Sequence, residues 1–87
     1  MKKYVIEKTL TTKNRSHMYP QGYKASYICK GDHFVWAKAF FDRPALWSEY
    51  LYASKKRAER SVKLMQEKHP EKYWDTSFRV VEVEING

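Results

Sequence analysis

Polar and apolar residues alternate from Lys3 to Leu10, with Tyr4, Ile6 and Leu10 on one side and Lys3, Val5, Glu7 and Thr9 on the other. That period of two predicts a first strand over residues 3–10. Residues 11–22, TTKNRSHMYPQG, are polar and close with Pro20 and Gly22. They predict a mobile loop, because connections between neighbouring strands usually run to only about two to five residues. The stretches Tyr23 to Lys30 and His33 to Phe41 then flank Gly31-Asp32, a pair suited to a two-residue hairpin turn. This register sets Cys29 opposite Phe34, Ile28 opposite Val35, Tyr27 opposite Trp36 and Tyr23 opposite Phe40. One hairpin face would carry those aromatics and Cys29. The other would carry Lys24, Ser26, Ile28, Lys30, Val35, Ala37 and Ala39.

The period changes further along. Asp42-Arg43-Pro44 predicts a turn or cap before a short irregular or helical segment from Trp47 to Tyr52. Ser54 suits the N-cap of a main helix over 55–69, and Pro70 ends it. Ala58, Val62, Met65 and His69 recur at helical spacing as the buried stripe, which Leu64 widens. Thr76 to Ile85 reads as a last strand, with Val81, Val83 and Ile85 on one face and Phe78, Val80, Glu82 and Glu84 on the other. The order β-β-β-α-β predicts a small two-layer α+β domain, a mainly antiparallel sheet with one main helix packed on one face. The second sheet face is then either solvated or used.

Length and composition narrow the class. The 87 residues suit a single domain over 1–87, with seven Tyr, four Phe and three Trp to build its core. Cys29 is the one cysteine, which leaves no intramolecular disulfide and points to a reducing cytoplasm. Glu7 and Lys8 interrupt the apolar start expected of a secretory signal. Phe34 to Phe41 is too short for a membrane span and contains Lys38. No membrane partner is expected.

The net charge is +7. Residues 1–41 hold eight bases against two acids, whereas residues 42–87 hold nine against eight. An excess of that sign draws anionic partners, although it also serves simply to keep an aromatic-rich domain soluble.

Candidate chemistry points away from an enzyme. His17, His33 and His69 fall in three different elements, and Cys29 with His33 gives two ligands where zinc needs three or four. No Ser-His-Asp order, phosphate-cradling glycine loop or carboxylate pair stands out. No metal, cofactor or small-molecule substrate is expected.

Three features remain. Lys55, Lys56 and Arg57 occupy the first turn of the main helix, where the helix dipole disfavours bases by roughly 0.3–1 kcal/mol each. Free backbone amides there, with three cations around them, would hold a phosphate or carboxylate. Arg60 and Lys63 extend a basic stripe along the helix, and Lys13 and Arg15 in the loop would assist. The plainer account is a solvated surface with Glu59 and Lys63 paired at i,i+4. The hairpin aromatics Tyr23, Tyr27, Phe34 and Trp36 could stack single-stranded bases, or form the core beneath the helix, which is the simpler reading. The run Leu46 to Tyr52 offers Trp47, Tyr50 and Tyr52 as anchors for a protein partner, or as an aromatic lid over the helix, the favoured account.

The segment Tyr52-Ala53-Ser54-Lys55-Lys56-Arg57-Ala58-Glu59, then Val62 to Met65 and Val80-Val81-Glu82-Val83-Glu84, resembles the short accessory proteins of bacteriophages and other mobile elements. The likeness covers less than half of the chain and carries no functional residues across. It implies a protein that binds and redirects a host or defence component. The leading expectation is therefore a binding module that grips nucleic-acid phosphates with little sequence specificity. The alternative is a small inhibitor or adaptor that meets an acidic protein surface.

Overall fold

The structure, a computed structural model, describes residues 1–12, 24–68 and 74–85. Four antiparallel strands, β1 (Lys2–Thr12), β2 (Lys24–Lys30), β3 (His33–Trp36) and β4 (Trp74–Glu84), form one sheet in the order β3-β2-β1-β4. Two helices, α1 (Ala37–Asp42) and α2 (Lys55–Lys68), are separated by single 3₁₀ turns at Pro44–Leu46 and Ser48–Tyr50. The α+β class and the single main helix are those the periodicity predicts. No helix among the described residues is long and apolar enough to cross a membrane. The expected loop lies outside the described residues, except that Thr11 and Thr12 belong to β1.

The hairpin register holds where β3 exists: Cys29 faces Phe34, Ile28 faces Val35 and Tyr27 faces Trp36. Gly31 opens the turn at φ 61°, a conformation open to glycine at no steric cost. Beyond Trp36 the expected strand to Phe41 is replaced by α1, and Phe40 has no strand partner. Ala37, Lys38 and Ala39 are good helix formers, and spacing three residues apart turns Ala37 and Phe40 to the same side. Both are buried there, against Val5 and Ile28. A continued strand would instead have carried Phe40 to the opposite face with Trp36.

Adjacent residues of β1 are both fully buried, Val5 toward one face and Ile6 toward the other. In a strand that requires cover on both sides of the sheet. Segment 37–51 provides the first cover, packing Ala37, Phe40, Trp47, Tyr50 and Leu51 on Val5, Ile28, Val35, Val81 and Val83. Helix α2 provides the second, packing Ala58, Val62 and Met65 over Ile6, Cys29, Phe78 and Val80. The Ile28–Val35 face, expected to be exposed and mildly apolar, is therefore part of a core.

The chain passes from one face to the other beside β1. Tyr52 pairs there with Tyr4 as a one-residue extension of the sheet, through Tyr4 N–H to Tyr52 O at 3.0 Å and Tyr52 N–H to Tyr4 O at 2.7 Å. The Lys30 ammonium fastens the passage, donating to Leu51 O at 2.7 Å and lying 4.5 Å from the Tyr52 ring centroid.

Candidate functional site

Strand register places two rows of side chains on the α2 face. One row runs Phe34, Cys29, Ile6, Val80, and the next runs Trp36, Tyr27, Lys8, Phe78. Helix α2 covers the inner part of these rows and leaves the β3 end outside. Phe34 is 70% exposed and Trp36 is 53% exposed, so neither serves as core. The simpler reading of the hairpin face, a core beneath the helix, is thus corrected for these two rings. It holds for Cys29, which is buried beneath Met65 with Sγ 4.0 Å from Sδ.

The exposed rings are held in place by Tyr27. Its ring lies 4.6 Å from Trp36 at 32° and 5.8 Å from Phe34 at 89°. Aromatic pairs favour such tilted and edge-on geometries, so the cluster is ordered without being buried. Beside it runs a groove of about 360 Å³, lined by Tyr27, Phe34 and Leu10 of the sheet, Met65 of α2, and Lys8 and Phe78. Lys8 Nζ lies 5.9 Å from the Phe78 ring centroid, bringing a cation into a mainly apolar wall. Asp32 also lines the groove and opposes that charge.

Helix α2 begins as its sequence predicts. Ser54 Oγ accepts a hydrogen bond from Arg57 N–H at 3.2 Å, and no acid occupies the first turn. Lys55, Lys56, Arg57, Arg60 and Lys63 are all exposed. None joins an ion pair among the described residues, and the Glu59–Lys63 pair does not form. Three acids of the sheet have partners of their own, while Glu59 and Glu67 lie on α2 itself. Glu7 binds Arg79 at 2.8 Å, Glu82 binds Lys2 at 3.5 Å, and Glu84 binds the amino terminus at 3.0 Å. Helix α2, with six bases against two acids, therefore presents a net positive surface above the sheet face that carries the open aromatics. Leu64, expected to widen the buried stripe, is 58% exposed. Helical spacing puts Leu64 on a flank, about 100° from its neighbour Met65, which takes the inward position.

Trp47, Tyr50 and Tyr52, the candidate protein anchors, lie in the packing instead. Tyr50 and Tyr52 are buried, and Trp47 packs half-buried against the first core. The Trp47 indole N–H is buried without a hydrogen-bond partner among the described residues, a cost that packing of its ring must offset. The segment is a lid, but over the sheet face opposite α2 and not over the helix: Trp47 and Tyr50 close on Val5 and Ile28, and only Tyr52 packs with Ala58 of α2. Lys13, Arg15 and Tyr23 lie outside the described residues. The sequence marks Phe34 and Trp36 as a possible stacking surface, but their exposure follows from β3 being short and at the sheet edge, which the strand pattern does not reveal.

Burial pushes the Cys29 thiol above its ordinary value, and nearby Lys8 opposes part of that rise. Among the described residues, no three His, Cys, Asp or Glu side chains come together as a metal site would require. No protein family, curated protein or solved structure matches this chain.

Proposed function

We propose that this protein binds single-stranded nucleic acid, stacking bases on Phe34 and Trp36 and drawing phosphates to the cations of α2 and to Lys8. The observation that carries the reading is the exposure of two ordered aromatic rings on the sheet face that basic α2 shares. Every base has a π face, so stacking grips a strand with little regard to sequence. Phosphate contacts by Lys55, Lys56, Arg57, Arg60 and Lys63 add affinity and position without reading bases. Duplex DNA hides its base faces, so it would meet the cations alone.

Fluorescence anisotropy with labelled single- and double-stranded oligonucleotides tests this. Single strands should bind better than duplex, and affinity should fall steeply between about 50 and 200 mM salt as counterions are released. A Lys55/Lys56/Arg57 triple alanine variant should bind more weakly and with a shallower salt slope. Salt-independent binding, or none at low salt, would refute the reading.

A second reading is a small phage-type inhibitor or adaptor that grips a host or defence protein. The same exposed rings favour it, because aromatic side chains anchor protein interfaces. Its contact would centre on Phe34 and Trp36 rather than on Trp47, Tyr50 and Tyr52. Failure of every oligonucleotide, with Trp36-dependent capture of a single acidic protein, would select it.

A further inference from the structure

We infer that the preferred ligand is an unstacked, pyrimidine-rich single strand, splayed between two adjacent base sites. The inference rests on the nucleic-acid reading above and on the geometry of the rings. Tyr27 makes 89° with Phe34 and 32° with Trp36. The difference, 57°, is the smallest angle the Phe34 and Trp36 planes can make with each other. A base stacks parallel to the ring beneath it. Two bases seated on these rings therefore cannot lie parallel, and cannot stack on one another.

Spacing gives the same result independently. Phe34 and Trp36 are alternate residues of β3 on one face, so their Cα atoms stand roughly 6.6 Å apart. Successive bases in a stacked strand stand only about 3.4 Å apart. One face of Trp36 is already occupied by Tyr27 at 4.6 Å, which leaves its outer face for a base. A strand that uses both rings must open one base step, turning the second base away from the first. Runs of purines resist that opening because they stack well on themselves. Runs of pyrimidines resist it least, and a duplex resists it most.

The test compares oligo-dT, oligo-dA of equal length and their duplex, by anisotropy at one low salt concentration with the full chain. Oligo-dT should bind roughly threefold to tenfold more tightly than oligo-dA, with the duplex weakest. Phe34→Ala removes one ring and with it the need to splay, so the dT/dA ratio should fall toward one while some binding persists. Because Phe34 is so exposed, the circular-dichroism spectrum of the variant should match the parent and its unfolding midpoint should fall only slightly, so that it stays fully folded under the binding conditions. Bound oligo-dA should also lose part of its base-stacking dichroism. Equal affinities, or a preference for oligo-dA with its stacking signal intact, would overturn the splayed strand and leave the nucleic-acid reading standing. Failure of all three ligands to bind would overturn both.

Discussion

Phe34 and Phe40 are close in sequence and share a residue type, yet Phe34 is largely exposed and Phe40 is fully buried. The difference lies in the cover each ring receives. After Trp36 the chain abandons the sheet, and α1 with the 3₁₀ turns carries Phe40 and Tyr50 down onto Val5 and Ile28. No element among the described residues does the same for Phe34, which stands on the edge strand beyond the reach of α2. Two closed cores meet back to back at β1 and satisfy the fold. The rings left over at β3 are surplus to that packing, and an ordered surplus of aromatic surface is where binding is sought.

The largest expected effect tests the buried member. Phe40→Ala should cost about 3–5 kcal/mol of unfolding free energy, because the ring is fully enclosed and its cavity cannot close completely. Phe34→Ala should cost less than about 1 kcal/mol, since only its edge-on contact with Tyr27 is lost. Urea denaturation of both variants checks the pair. Similar losses would mean that Phe34 is structural after all, and would remove the platform.

The binding comparison runs the other way. Phe34→Ala and Trp36→Ala should each weaken single-strand binding by about 1–3 kcal/mol, a typical value for one stacked base. Tyr50→Phe, a change inside the first core, should leave affinity untouched. If Tyr50→Phe weakened binding as much as Phe34→Ala, the effect would be one of general stability and not of contact.

Much of this division was legible in the sequence, and the failures have physical causes. Alternation along β1 and β4 and the Gly31-Asp32 turn located the sheet, and Ser54 marked the start of α2, while His69 and Pro70 lie outside the described residues. The run Ala37-Lys38-Ala39 reads as strand because it continues the apolar period of β3, although alanine favours helix. That one ambiguity moves Phe40 to the wrong face and makes Ile28 and Val35 look solvated. Tyr50 and Tyr52 look like anchors because local composition does not reveal that a segment will cross from one face to the other. The α2 cations were legible by spacing alone, since a capped helix with Ala58 and Val62 inward must point Lys56, Arg60 and Lys63 outward. Which aromatics stay exposed depends on where α2 lies across the sheet, and that is set by tertiary packing.

A smaller effect concerns the cap that starts α2. Ser54→Ala should lower stability by about 1 kcal/mol, because Arg57 N–H loses its acceptor. Binding at saturating stability should change little, since the exposed cations remain. Thermal unfolding and anisotropy measured on one preparation separate the two effects. A loss of affinity larger than the loss of stability would show that the first turn of α2 holds the ligand more closely than the aromatic platform requires.

The finest test lies on the border between covered and open surface, at Cys29. The thiol is buried under Met65 yet lines the groove beside Phe34. Burial raises its pKa because the thiolate is poorly solvated there, with the Lys8 charge pulling back. The thiolate is the reactive form, so a disulfide reagent should attack the folded protein near neutral pH more slowly than the urea-unfolded chain. Lys8→Met should slow it further. For stability the sign is opposite to that of a salt-bridged acid. The unfolded thiol releases its proton before the folded one, so the contribution is intact below the unfolded pKa and is lost as pH rises from there through the raised folded value. Subtracting the profile of Cys29→Ala removes the lysine and tyrosine titrations of the same range. A flat difference, together with reaction as fast as a free thiol, would place Cys29 in open solvent. The covered half of the α2 face would then end one residue earlier, and Cys29 would belong with Phe34 and Trp36 among the groups a bound strand can touch.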